Sequence, residues 1–320
     1  MHFKPPHINM QKSLGCLFAS LFIILSFSCN DVEKKVLSTP TSGETNIAVD
    51  ESFEPLLSQT VDTFQSLYTQ AKVKAVYKPE ADVIKDFMND SVDVIVTCKE
   101  LSDEQMDYIT EKNISYKKTQ IAYDAVAIIV NNSNPDSLLK LSQIKNILNG
   151  TYTKWNQLSE KNTVGDIAFV FDNAASSNTR FLKEKFLAGK DFSKNCFAVK
   201  SNKEVVDYVE KTNNAIGVIA VNWISDGDAA DANGFLKRIR VADIQDDITS
   251  QDLNYYGPYQ AYISLKNYPL VREVWVMNRE GRAGLGTGFA SFVAGDQGQR
   301  IVRLAGLLPA TMPIRIVNMK

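Results

Sequence analysis

Ala125–Asn131 reads AVAIIVN and runs directly into Asn132-Ser133-Asn134-Pro135. Seven residues without a charge, rich in β-branched side chains, predict a strand; the Asn/Ser/Pro cluster after it breaks regular structure. It is the most apolar strand-like stretch outside the N-terminal segment, and it stands between two sets of alternating elements. We therefore place a crossing between two lobes here.

Upstream, Asn46–Val49 reads as a strand and Glu54–Ser66 as a helix, with Leu56, Leu57, Val61 and Phe64 near helical spacing. Lys72–Tyr77 is a second strand, and Ala81–Asn89 a second helix. Val92–Val96 is nearly continuous in apolar character, as suits a strand covered on both faces. Downstream, Ser142–Asn149 reads as a short helix with Ser142 as N-cap and Gly150 as terminator, backed by Trp155. Ile167–Phe171 and Ile216–Val221 are strands, and Arg180–Leu187 and Val205–Val209 are helical. Residues 224–254 turn polar and irregular, Tyr255–Met277 is strand-like, and Phe289–Gly306 reads as one closing helix. Strands alternating with helices define the α/β class. The expected architecture is two lobes with a ligand cleft between them: residues 46–125 plus 255–320 form lobe I, and residues 126–254 form lobe II.

The N-terminus carries Lys4 and Lys12, then the apolar run Leu14–Phe27, then Ser28 and Cys29. A basic segment followed by a short apolar one is what export machinery reads, and the run is short for a bilayer span. Residues 1–28 are thus expected to be a signal peptide. A small residue before Cys29 points to acylation of that cysteine; the alternative is a simple cleaved signal with Cys29 buried. Residues 29–45 would then be the lipidated cysteine and a polar tether, placing the protein in the cell envelope, on the periplasmic side of a membrane.

Both histidines, His2 and His7, lie in the signal. A chain cleaved before Cys29 has none, which excludes Ser-His-Asp triads, Cys-His pairs and histidine-ligated metals. No catalytic residue, metal or cofactor is expected. Loss of Lys4 and Lys12 takes the net charge from −2 to −4, giving no reason to expect nucleic acid as a partner. Cys98 and Cys196 either pair or remain two buried thiols.

Phe171-Asp-Asn-Ala-Ala-Ser-Ser-Asn-Thr-Arg180 joins a strand to a helix. Asn173, Ser176, Ser177, Asn178 and Thr179 can all donate hydrogen bonds there. The first turn of a helix adds free backbone N–H groups and partial positive charge, so the spot favours an anion, with Arg180 as a further source of charge. Ordinary N-capping by Ser or Thr accounts for any one of these residues equally well.

Four segments together, VDESFEPLL (Val49–Leu57), SVDVIVTCKEL (Ser91–Leu101), Asp124–Leu158 and the donor-rich loop, resemble the phosphate-binding proteins of bacterial ABC importers, of type II periplasmic-binding fold. So does the tail Tyr268–Pro309. The resemblance implies oxyanion contacts from Ser52 and Phe53, from Thr97, and from Ser177 and Thr179 with Asn178 in place of a glycine. Three departures accompany it. Asp50 and Glu51 stand where hydroxyls are common and repel an anion unless turned outward or protonated. Cys98 stands where an Arg or Asp follows the serine, with Lys99 adjacent as a source of charge. Asn173 stands where many members have arginine. Asp124 either accepts a proton from the ligand or caps a turn. The implied partners are phosphate and a membrane ABC permease, with the lipid anchor in the membrane and the protein a monomer. Capture of another oxyanion or a small carboxylate, and a structural or adhesion role without ligand, remain alternatives.

The glycine-rich Gly281–Gly288 lacks dinucleotide-binding spacing and reads as a flexible loop. Asp226, Asp228, Asp231 and Asn233 lack the terminal Glu of a calcium loop and read as solvated. Trp155, Trp223 and Trp275 are expected in the core.

Overall fold

The computed structural model describes residues 1–3, 38–225 and 230–311, without the side chains of residue 225 and residues 230–233. Cys29 and most of the expected signal lie outside the described residues, as do Asp226, Asp228 and the side chains of Asp231 and Asn233. Among the described residues, no helix is long and apolar enough to cross a membrane.

The first elements are β1 (Gly43–Asp50), α1 (Glu54–Leu67), β2 (Ala71–Lys78), α2 (Glu80–Met88), β3 (Val94–Thr97) and α3 (Asp103–Glu111). β1 lies between β2 and β3 and is parallel to both, so each connection must cross over through a helix. The α1 stripe Leu56, Leu57, Val61 and Phe64 is buried against this sheet, and Pro55 sits where a missing N–H costs nothing. β1 is longer than the expected strand and takes up Gly43–Thr45 of the expected tether, because each of its residues has a partner in β2.

The 15-residue β4 (Lys117–Asn131) joins the lobes. Up to Ala125 it is antiparallel to the strand Val271–Asn278; from Val126 it pairs instead with the strand Ala215–Ala220. Ala125–Val130 are fully buried, which is why the run shows no polar alternation. Beyond it come β5 (Leu138–Lys140), α4 (Leu141–Leu148), β6 (Ala168–Phe171), α5 (Ser177–Leu187), β7 (Cys196–Ala198), α6 (Asn202–Lys211), β8 (Ala215–Ala220), α7 (Asn222–Ser225), α8 (Ala230–Arg238), β9 (Ile239–Val241) and β10 (Asp243–Gln245). Lys140 rather than Ser142 is the N-cap of α4, and the Ser142 hydroxyl is turned to Asp247.

The chain returns through α9 (Gln260–Ser264) to β11 (Val271–Asn278), then α10 (Leu285–Ala294), α11 (Asp296–Leu304) and β12 (Leu308–Pro309). The sheet order is β2-β1-β3-β11-β4-β8-β6-β7. Where the crossing changes partner, Val126 is held on both sides of its peptide: its amide donates to Leu270 O at 2.8 Å, and its carbonyl accepts Tyr268 Oη at 2.7 Å.

The expected closing helix is in fact two. Gly295 adopts an extended backbone and separates α10 from α11. The glycine run is also not all loop, since α10 begins at Leu285. A Cβ at Gly288 would lie 1.8 Å from the carbonyl oxygen of Pro40, so the glycine lets Ser38–Ser42 pack directly on the helix. Gly288→Ala is therefore expected to destabilise the fold by about 1–3 kcal/mol through overpacking. Amides of residues 39–43 should also lose hydrogen-exchange protection. An unchanged urea midpoint would refute this close approach.

Candidate functional site

The donor-rich loop does two separate jobs. Ser176 is the N-cap of α5; its hydroxyl accepts the Thr179 amide at 3.2 Å and donates to Asp172 Oδ1 at 2.6 Å. Asn178 and Asn202 donate to Asp172 Oδ2 at 2.8 and 3.2 Å. Burial pushes the Asp172 carboxyl up, and the bonds from Ser176 and Asn178 pull it back. The Thr179 hydroxyl donates to Asn173 O at 2.6 Å, and Asn173 Oδ1 accepts the Ala175 amide at 2.8 Å. Ser176, Asn178, Thr179 and Asn173 thus brace the loop around a buried carboxylate.

Ser177 is turned the other way. Its hydroxyl pairs with the Ser52 hydroxyl at 3.1 Å, across the two lobes, and accepts Arg272 Nη1 at 2.9 Å. Ser52 lies in the single 3-10 turn that links β1 to α1. Its amide donates to Asp50 Oδ1 at 3.0 Å, and its carbonyl accepts Asn222 Nδ2 at 2.7 Å and Trp223 Nε1 at 3.1 Å from α7. Trp223 is accordingly at the site rather than only in the core.

Arg272 comes from β11, directly opposite Asp124 of β4. Its Nε donates to Asp124 Oδ2 at 2.8 Å, and its guanidinium lies 5.5 Å from the centre of the Phe53 ring. Both charged side chains are buried, at 3% and 0% exposure. Asp124 is mid-strand and caps no turn. Burial disfavours the guanidinium charge, yet neighbouring Cys98, Asp124 and Asp50 raise its pKa. Among the described residues, Nη2 of Arg272 and Oε1 of Glu51 are buried without a hydrogen-bond partner, whereas the Asp50 carboxyl is bonded to the Ser177 side chain and that of Asp124 to the Ala125 and Val221 backbone.

A second link between the lobes centres on Glu80, the first residue of α2, which is 2% exposed. It accepts the Thr97 hydroxyl at 2.9 Å and the Cys98 amide at 3.2 Å. Arg180 of α5 reaches it with Nε and, at 3.2 Å, with Nη2. The charge of Arg180 is thereby directed to Glu80 and, at 2.6 Å, to Glu184. Thr97 is held by Glu80, and its oxygen also accepts the Lys99 amide at 3.1 Å. Hydrogen bonds therefore connect Ser52, Ser177, Arg272 and Asp124, with Phe53 under the guanidinium. Thr97 stands on the separate Glu80 link, and Lys99 joins neither through its side chain in any hydrogen bond or ion pair among the described residues.

Asp50 and Glu51 are not both turned outward. Asp50 is fully buried, and its carboxyl is pushed up to about 7 by burial and then by the charge of Glu80, against the pull of Arg272. Glu51 is pushed up to about 8 by burial and then by Asp172, Asp50 and Glu54. Cys98 and Cys196 are free thiols, and burial raises both. Among the described residues no cluster of His, Cys, Asp or Glu could hold a metal.

Arg272 and Glu80 were not evident from sequence. Each needs a partner about a hundred or more positions away, and only strand register or lobe closure supplies it. The one local signal is an arginine facing inward within the strand-like VREVWV, Val271–Val276.

Similarity to known proteins agrees with this architecture. A stretch of 130 residues is 26% identical to the phosphate-binding protein PstS 2 of Streptococcus agalactiae, covering 41% of this chain and 42% of that one. Another of 171 residues is 24% identical to the phosphate-binding protein PstS of Staphylococcus aureus, covering 53% and 51%. The matched stretch thus spans about half the length of these curated relatives. Among solved structures, a putative phosphate ABC transporter substrate-binding protein from Clostridium perfringens, with bound phosphate, superposes with a TM-score of 0.69 at 20% identity. That match covers 84% of this chain and 100% of the other. An ABC-type phosphate transport receptor from Vibrio cholerae gives 0.62 at 18% identity, over 83% and 100%. At these identities the structural likeness is one of fold. Residues 36–297 match the family described as the PBP superfamily domain, and the chain belongs to that family.

Proposed function

We propose that this protein is the solute-binding component of an ABC importer and captures phosphate between its lobes without chemistry on it. One observation carries the reading: the Ser52 and Ser177 hydroxyls meet across the lobes at the N-terminus of α5, beside a buried guanidinium with a nitrogen unpartnered. An oxyanion oxygen placed there would receive hydroxyl, guanidinium and helix N-terminal N–H donors together. The relatives described as phosphate-binding support this choice of ligand.

Ser52, Phe53, Ser177 and Asp124 are the proposed ligand residues from the sequence, joined now by Arg272. Lobe I is proposed as residues 46–125 plus 255–320 and lobe II as 126–254, the exchange of β4 partners at Val126 supporting the first boundary. Export, acylation at Cys29, residence at the cell envelope as a monomer and delivery to a membrane permease belong to the same proposal. The buried acids favour a second reading, capture of another oxyanion or a small carboxylate.

Isothermal titration of residues 30–320 with phosphate, sulfate, molybdate and citrate tests this. Heat with phosphate is expected; heat with citrate alone would favour the second reading, and silence across the panel the structural role. Ser177→Asp is expected to weaken phosphate binding roughly 10- to 100-fold, the loss of one charge-assisted bond plus repulsion. Unaltered affinity in that variant would place the site elsewhere.

A further inference from the structure

The two strands that carry Asp124 and Arg272 have a second face. Arg272 stands opposite Asp124, while Val271 and Glu273 on either side of it stand opposite Ala125 and Tyr123. Successive side chains of a strand point to opposite faces, so Tyr123, Val271 and Glu273 are turned away from the ligand cluster. They line a cavity of about 630 Å³, a volume typical of small-molecule sites. Arg272 borders it between them, but its guanidinium is engaged on the other face by Asp124 and Ser177. Both proposed lobes supply walls: Lys185 of α5, Asp246 and Thr249 from lobe II, and Lys266, Tyr268 and Pro269 from lobe I. The Tyr268 turn is also the one that grips Val126, where β4 changes partner.

The lining combines apolar surface, from Ile263, Tyr268 and Leu308, with charge at its rim. Lys185 and Lys266 are both exposed, and neither ammonium has an ion pair or hydrogen bond among the described residues. Lys185 Nζ lies 5.9 Å from the centre of the Phe181 ring. Asp246 is already committed, accepting the Ile248 amide at 3.1 Å, the Thr249 amide at 2.9 Å and the Thr249 hydroxyl. Two cations thus face one uncommitted acid, Glu273. We infer that this cavity is a second binding site, for a small organic anion with an apolar body. Its carboxylate or sulfonate head lies between Lys185 and Lys266, and its body lies on Tyr268, Ile263 and Leu308. Such an occupant touches both lobes, so it binds this arrangement of them better than one in which they have rotated apart. By linkage it favours any other ligand that requires the same arrangement. The coupling to phosphate rests on the phosphate reading; the site itself does not.

The test titrates residues 30–320 with anilinonaphthalene sulfonate, followed by its fluorescence, beside phenylnaphthylamine, the same rings without the sulfonate. One saturable site is expected, binding the sulfonate about fivefold or more tighter than the neutral amine. Lys185→Glu and Lys266→Glu should each weaken the sulfonate about threefold and together about tenfold, since exposed charges are partly screened. Phosphate affinity without the probe should stay within about twofold in both variants. Saturating phosphate should tighten the sulfonate about fivefold, and the sulfonate should tighten phosphate by the same factor. Equal binding of the two probes, or sulfonate binding indifferent to both charge reversals, would overturn the site. Sulfonate binding that obeys the reversals but ignores phosphate, where phosphate itself gives heat, would overturn the coupling between cavity and cleft. No heat with phosphate would overturn the phosphate reading alone, with the two probes still deciding the cavity.

Discussion

Arg272→Met should remove phosphate binding and lower the stability of the fold by about 3–5 kcal/mol, the usual consequence of deleting one partner of a buried ion pair. The side chain is the shared partner of Asp124 and Ser177 and the countercharge nearest Asp50. Without it, both carboxylates stay in a desolvated place and lose the positive charge that offsets their burial. The loss should depend on pH with a definite sign. Burial first, then Glu80, raises Asp50 to about 7 in the folded chain, and burial first, then Asp172, raises Glu51 to about 8. An acid raised on folding binds more protons folded than unfolded, so stability is highest below its ordinary carboxyl range and declines as pH rises through the folded value. The wild type should thus lose stability between about pH 4 and pH 8, and Arg272→Met should lose it more steeply, because Asp124, already raised by burial, loses the charge and hydrogen bond of Arg272 that hold it down. Arg272→Met with Asp124→Leu should recover much of the loss, because a well-packed apolar pair replaces a buried ionic one at little expense. Urea unfolding at both ends of that range is the measurement. A single variant as stable as the wild type at the alkaline end would show that the pair does not carry the local charge balance.

What the sequence revealed of this arrangement follows from how far apart the partners are. The crossing strand was legible because six fully buried residues in a row need no partner to be recognised. The lobe-closing serine was legible too, as one of several donors at a helix start, but its neighbours were not separable from it by residue type. Ser176, Ser177, Asn178 and Thr179 all read as donors, whereas the fold turns three of them inward to Asp172 and the cap and leaves one facing Ser52. That sorting depends on the helical phase of the first turn, which residue identity does not fix. Asp50 and Glu51 read as an obstacle to an anion, and burial with raised pKa is one of the two escapes the sequence left open. The Gly288 contact and the break at Gly295 were hidden for a related reason: a glycine that admits another backbone looks the same as one that loosens a loop.

Arg180→Met should shift the unliganded protein toward an open form and weaken phosphate binding roughly tenfold. Glu80 is nearly inaccessible and its four donors come from both sides of the cleft: Thr97 and Cys98 from β3 and the residue after it, and two nitrogens of Arg180 from α5. Nearby, Ala81 N of α2 donates to Ala175 O, in the loop before α5, over a long 3.5 Å. Arg180 is 22% exposed at its side chain, so water screens part of the attraction, and a tenfold effect, about 1.4 kcal/mol, is a reasonable share of a pair that is buried on one side only. The effect reaches the ligand through population: if binding requires the closed form, affinity falls by the fraction of molecules that remain closed. Small-angle scattering of the free variant should show a larger radius of gyration, and saturating phosphate should restore the wild-type value. Glu80→Gln separates charge from shape, since the amide oxygen still accepts from Thr97 and Cys98 while the attraction to Arg180 is lost; it should fall between wild type and Arg180→Met in both measurements. If Arg180→Met binds phosphate as tightly as the wild type and scatters identically, the Glu80 link is a consequence of closure that Ser52, Ser177 and Arg272 already secure, and closure energy resides in the ligand cluster alone.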